Sequence, residues 1–398
     1  MKKKHVYVIL KNKIIGTDSV ITLCMQIYKE CGYTFTFILF EHGSFKAIKN
    51  DNIVLFDAIN SIGKLVSLSS ERYKYRVISK IFTVLFFIKM ILKIKFQENY
   101  IMHSGGLHVK PLSFIMNFTP LQRIIFHETS SYGRLCHENK GVDTPEMFFS
   151  RRQTQNAFDS NVLRHLLPTL NAGILIAYDE FWNYFKHPEA INAQQVVFNN
   201  SRNAGAWIDF IKNRSSEYID SELDKYLLNQ KSKHILIIFI GRIQIDKSGS
   251  YIKSFIQMID EISKTVGDKV PVFIKPHIFA DLEFIMNCIS KGVGGGKINY
   301  IFTKLHPSVL ASRAAISFFI GNSTVINEIS NLNVPIIQCL YGFDDKGILA
   351  KTSKKSDYVI TKKTDNLGVI INDLLSVDNP PAVYRKKQGK FNCGNLFN

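Results

Sequence analysis

The chain has 398 residues, 46% of them hydrophobic and 21% charged, which excludes a disordered chain and is too long for one ordinary core. Its formal net charge of +17 favours an anionic partner, whether nucleic acid, acidic lipid or a phosphorylated or carboxylated small molecule, although a lysine-rich codon bias alone yields such a charge. No zinc-finger spacing, aromatic RNA-reading sequence or basic helix with heptads accompanies it, so nucleic acid is not the expected partner.

The opening "MKKKHVYVIL" has the basic start of a signal peptide, but its apolar run is short and no small-residue cleavage site follows, so it reads as a first β-strand. Strand-like runs continue at Tyr33–Phe40, Asn52–Phe56, Tyr100–His103, Arg123–His127, Gly173–Ala177 and Gln195–Phe198. After the polar bridge "LLNQKSKH" a second series follows at His234–Ile240, Pro271–Ile274, Ile298–Phe302, Ile316–Ile320, Pro335–Gln338 and Tyr358–Ile360. Short runs rich in Ile, Val and Phe, with helix-length segments between many of them, predict parallel sheets covered on both faces. The expected division is an N-terminal Rossmann-like domain over residues 1–228, a second over 229–375, and a basic tail, 376–398, either disordered or packed back on the first domain.

Tyr73–Phe96 departs from this rhythm: it is apolar nearly all round, with Lys80, Lys89, Lys93 and Lys95 spaced along it. Two readings fit, a helix lying on an acidic membrane face with its lysines reaching outward, or a buried helix capped by surface lysines. No apolar stretch approaches the roughly 20 residues needed to span a bilayer. The six cysteines are scattered without a CxxC, which predicts reduced thiols in a cytosol. The glycine cluster "KGVGGGK" precedes a strand instead of following one and reads as a loop, not a phosphate cradle.

Four clusters stand at predicted strand ends, where ligands of doubly wound sheets bind. "GRIQIDKS" carries Gly241, Arg242, Gln244, Asp246 and Ser248; Asp246 is the only carboxylate between Leu236 and Met258. "KPHIFAD" places Lys275 and His277 on either side of a proline that pushes Lys275 to an extended conformation, two cationic-capable groups suited to a phosphate leaving group. "GNSTVINEISNLNVPII" ends a strand in Asn322, Ser323 and Thr324 at a helix start, an anion site, with Glu328 one turn on to meet a ribose. "FHETSSYGR" in the first half carries Glu128. Taken singly, each has a plainer reading as a helix cap, a structural histidine or a surface acid.

The order "GRIQIDKS", "IKPH", "GNSTVINEISNLNVPII" resembles that of bacterial β-Kdo transferases of capsule and lipopolysaccharide assembly and, more distantly, of CMP-sialic acid and CDP-glycerol transferases. The likeness covers roughly the second domain. Arg242 stands where that family usually has Gln, Gln244 where it often has Glu, Ile278 replaces a second proline, and Asn333-Val334 replaces Gly-Lys. The resemblance implies an α/β fold of the GT-B type, two Rossmann-like domains facing a central cleft. It implies a retaining, CMP-Kdo-using glycosyltransferase acting on a surface glycan, with Asp246 as nucleophile, Glu128 as acid/base, and Lys275, His277, Ser323 and Thr324 neutralising the CMP phosphate.

No Asp-x-Asp is present, so neither metal nor cofactor is expected. The implied partners are the CMP-Kdo donor and a glycan acceptor, lipid-linked and met at the cytoplasmic face of the inner membrane. The rival of another class is a non-catalytic polyanion-binding protein, whose affinity would fall steeply with salt.

Overall fold

A computed structural model describes residues 4–10, 14–68, 76–104, 112–127, 173–177, 194–198, 204–225, 236–240, 249–277, 280–292, 299–320, 325–329, 332, 334–339, 359–361 and 366–376. The chain divides into two compact units, Met1–Trp207 with Gln388–Asn398, and Ile208–Lys387. The division falls inside the helix Gly205–Asp224, earlier in the chain than the polar bridge near Leu227.

The first unit holds a seven-stranded parallel sheet. In chain order its strands are β1 (His5–Ile9), β2 (Thr34–Leu39), β3 (Gly63–Ser67), β4 (Tyr100–His103), β5 (Ile124–His127), β6 (Ile174–Ala177) and β7 (Gln194–Val197). They lie in the order β3-β2-β1-β4-β5-β6-β7, so the first strand sits between β2 and β4. Helices α1 (Ile14–Cys31), α2 (His42–Lys46), α3 (Ile53–Ile62), α4 (Arg76–Phe96) and α5 (Leu112–Asn117) make the crossovers. Parallel strands demand such connections, and burial on both faces explains the unbroken apolar runs.

The expected strand over Asn52–Phe56 is instead the start of α3. Periodicity cannot separate a short apolar run from a helix, and here the apolar positions continue as Val54, Leu55, Ala58, Ile59 and Ile62, all buried at helical spacing. Asn52 caps the helix, its side chain accepting from the Leu55 amide at 3.4 Å. The strand comes directly afterwards. At Gly63 a Cβ would fall 2.2 Å from the Phe35 carbonyl oxygen, so only glycine lets β3 approach β2 this closely.

Helix α4 has one buried side and one exposed apolar side. Phe87, Met90 and Ile94 are buried against Tyr7, Ile9, Ile38, Ile101 and Phe126. Ile81, Phe82, Leu85, Ile88, Leu92 and Phe96 are exposed, Phe96 at 72%. Among the described residues no helix is long and apolar enough to cross a membrane. Cys24 and Cys288 are free and buried, but Cys31 is disulfide-bonded, against the expectation of reduced thiols throughout; scattered spacing carries no information on pairing.

The second unit repeats the winding with six parallel strands: β8 (Leu236–Ile240), β9 (Val272–Pro276), β10 (Tyr300–Phe302), β11 (Ile316–Ile320), β12 (Ile336–Cys339) and β13 (Val359–Thr361). Their order is β10-β9-β8-β11-β12-β13. The order in which strands are added therefore reverses between β8 and β11, although the strands stay parallel, and this is the point at which doubly wound sheets take up ligands. Helices α6 (Gly205–Asp224), α7 (Gly249–Val266), α8 (Leu282–Gly292), α9 (Pro307–Ala311), α10 (Val325–Ile329) and α11 (Leu367–Ser376) complete the described elements. Phe255, Met258, Ile259 and Ile262 of α7 and Ile285 and Ile289 of α8 bury against Ile238, Ile274 and Phe318 of the strands.

Candidate active site

Three of the sequence clusters follow strands whose carboxyl ends are neighbours in the second sheet. Ile240, the last residue of β8, pairs with Pro276 of β9 on one side and Ile320 of β11 on the other. The segments that follow these residues begin at Gly241, His277 and Gly321. In the sequence Asp246 and Ser248 follow β8, Lys275 lies in β9 and His277 directly after it, and Asn322 and Glu328 follow β11. Gly241, Arg242, Gln244, Asp246, Ser248, Asn322, Ser323 and Thr324 themselves lie outside the described residues, as do Glu128 of the first unit and the tail beyond Ser376. Glu328 is on α10, its side chain outside what is described.

Lys275 and His277 are both half-buried. They stand two residues apart, Lys275 in β9 and His277 just past its end, where the His277 carbonyl accepts from the Ala280 amide at 2.8 Å. The Lys275 amine donates to the Lys304 carbonyl at 3.0 Å, which holds it on the β10 flank of β9. That carbonyl is itself well anchored. The neighbouring Thr303 hydroxyl donates to the buried carboxylate of Glu222 on α6 at 2.7 Å and accepts from the Leu305 amide at 3.1 Å. The second Glu222 oxygen pairs with Lys225 at 2.6 Å. His306 then caps α9, its Nδ1 accepting from the Ser308 amide at 3.2 Å, with Pro307 at the first helical position. Charged and capping bonds therefore fix the loop on which Lys275 rests, and the position of its amine follows from residues sequence reading did not weigh.

In the first unit the cluster "FHETSSYGR" contains His127 beside Glu128, and a second histidine ends the neighbouring strand. β4 ends in His103 and continues to Ser104, and β5 ends in His127; all three are buried, at 1%, 6% and 3% exposure. The register sets His103 opposite Phe126, and their rings lie 5.2 Å apart. Two imidazoles and a hydroxyl thus stand at the carboxyl ends of adjacent central strands. The signal was present in "YIMHS" and "IIFHE", two apolar runs that each stop at a histidine. Such groups suit contact with sugar hydroxyls, since they both donate and accept hydrogen bonds. Among the described residues no three His, Cys, Asp or Glu side chains gather as a metal site.

No protein-family model matches the chain, and no curated protein does. Its fold is similar to solved structures. UDP-GlcNAc 2-epimerase from Neisseria meningitidis, bound to UDP-GlcNAc, aligns at 12% identity over 95% of each chain, with a TM-score of 0.52. A putative UDP-N-acetylglucosamine 2-epimerase from Listeria monocytogenes aligns at 13% identity over 96% of this chain and 90% of its own, with a TM-score of 0.51. UDP-GlcNAc 2-epimerase from Methanocaldococcus jannaschii aligns at 11% identity over 99% and 95%, with a TM-score of 0.51. At such identity the likeness concerns the fold, which is α/β of the GT-B type, built from two Rossmann-like domains.

Proposed function

We propose that this chain is a metal-independent glycosyltransferase that moves Kdo or a related sugar acid from a CMP-activated donor to a surface glycan at the cytoplasmic face of the inner membrane. The observation that supports it is the strand order of the second unit, which sets side by side the carboxyl ends of β9, β8 and β11, the strands at which the three donor clusters stand in the sequence. In this reading the Asp246 carboxylate attacks the anomeric carbon, and the bond from that carbon to the phosphate oxygen breaks, its electron pair leaving with CMP. Lys275, His277, Ser323 and Thr324 meet the phosphate, and Glu328 the ribose. An acceptor hydroxyl, losing its proton to Glu128, then displaces the Asp246 ester, and two inversions leave the configuration retained.

A second reading has one observation in its favour: the Neisseria structure of similar fold holds UDP-GlcNAc. A UDP-sugar would then be the substrate and epimerisation the chemistry.

A thermal-shift panel of CMP, CDP, UDP and GDP, each with EDTA, separates the two. A ligand at a hundred times its Kd adds about 2.7 kcal/mol, which is roughly 5–10 °C for a unit of this size. CMP is expected to give the largest shift. A preference for UDP, or a shift seen only with Mg²⁺, overturns the CMP donor. Loss of all binding on modest addition of salt points instead to a polyanion-binding protein.

A further inference from the structure

The first unit contains a cavity of about 430 Å³ that lies away from the carboxyl edge of its sheet. Its walls include His5 and Thr34, the first residues of β1 and β2, Lys64, the second of β3, and Lys89 and Lys93 on the last turns of α4. Since the strands are parallel, these positions mark the amino edge, where no donor cluster emerges. Thr36, Gln97 and the buried Asn99 complete the polar lining; no carboxylate belongs to it, and none of the three lysines pairs with one among the described residues.

The His5 ring is held between two hydroxyls, Nδ1 2.8 Å from Thr34 Oγ1 and Nε2 2.9 Å from Thr36 Oγ1. Burial, then Lys93 and Lys64, lower its pKa from 6.5 to about 4, so it is neutral near pH 7. Both ammonium groups are therefore close enough to act on one imidazole. A helix C-terminus attracts cations, which explains lysines at the end of α4 but not Lys64 on a strand. Three cations lining a space with hydroxyls and amides are suited to a phosphoryl oxyanion.

Along α4, Lys89 and Lys93 lie one turn apart, while Ile81, Leu85, Ile88, Leu92 and Phe96 form an exposed apolar row on the neighbouring face. A basic cavity beside an uncovered apolar row matches an amphiphile with a phosphate head and hydrocarbon tails.

We propose that the cavity bounded by His5, Thr34, Thr36, Lys64, Lys89 and Lys93 binds a phosphoryl group, that of an anionic membrane lipid, with α4 lying on the bilayer surface. This site is independent of the donor reading, because it lies at the opposite edge of the other sheet from the proposed nucleotide.

The test uses the full chain with Lys64, Lys89 and Lys93 changed to Gln. Co-sedimentation with phosphatidylglycerol vesicles is expected to weaken on the order of a hundredfold relative to the unaltered chain, with phosphatidylcholine vesicles binding neither. The nucleotide-induced shift should be unchanged, which reports that the variant folds. If the triple variant does not fold, Lys89→Gln alone, at an exposed position, is expected to weaken binding about fivefold.

A second readout is the His5 ring resonance with added glycerol 1-phosphate. A bound dianion should raise the His5 pKa from about 4 against the pull of Lys64 from β3 and Lys93 from α4, with Tyr7, Thr34 and Thr36 the other groups facing it. A His5 response without vesicle binding keeps the phosphoryl site and overturns the lipid source. Vesicle binding that ignores all three lysines, or a silent His5, overturns the site.

Discussion

Asp246→Asn is expected to lose sugar transfer by on the order of 10⁴-fold while keeping the stabilisation that CMP gives. The exchange removes a charge used only on the reaction path and leaves the shape of the side chain nearly intact, so ground-state binding has no reason to change. Intact-mass spectrometry after incubation with CMP-Kdo and a poor acceptor should show a sugar adduct on the native chain, mapped to the peptide holding Asp246, and none on the variant. An active Asp246→Asn enzyme, or an adduct on another residue, would remove the nucleophile from this assignment. Transfer with inversion would retain the donor edge and discard the two-step mechanism.

Phe318→Ala is the structural counterpart. Phe318 is fully buried in the middle of β11, packed in the core with Leu236, Ile238, Phe255 and Ile259. Truncating a ring in such a site costs about 3–5 kcal/mol, part transfer and part cavity. For a unit of this size the melting point should fall by roughly 6–20 °C. The same strand leads into Asn322, Ser323 and Thr324, so the nucleotide-induced shift should shrink as well. A variant that melts with the parent would mean that Phe318 does not face the α7–α8 layer, and the register of β11 on β8 would have to be redrawn.

The sequence made the fold class legible because buried parallel strands are written as unbroken apolar runs, and nearly every such run became a strand. The exception shows the limit. "NIVLF" has the composition of a strand, yet helical contacts three and four residues onward capture it, and the true strand "GKLVS" carries too few apolar residues to be seen. The candidate donor clusters were picked out for a related reason, since strand ends of this fold are places where the chain is free to carry polar chemistry, but those after β8 and β11 begin outside the described residues. What could not be read was adjacency. That β8 lies between β9 and β11, and that Lys275 leans on a loop tied down by Glu222, depends on pairings between distant segments. The lysine-lined cavity is the extreme case. His5, Thr34, Lys64 and Lys93 share no local motif and meet only because three strands begin at one edge.

The central position of β8 also constrains how the second unit is made. β8 and β11 are hydrogen-bonded neighbours, yet residues 241–315 come between them in the chain. Bringing them together closes a long loop before most of its contacts can compensate, the circumstance that slows folding of sheets with distant pairings. β9 can dock on β8, and β10 on β9, beforehand, whereas β12 and β13 wait for β11. The reversal point, where the nucleotide is proposed to sit, is therefore completed late. A ligand recognising only the finished edge cannot hasten a barrier crossed before that edge exists; it holds the product against opening. Stopped-flow refolding should be indifferent to CMP, and unfolding should slow in proportion to its occupancy. A nucleotide that accelerated refolding would place β8–β11 pairing before the barrier instead of after it.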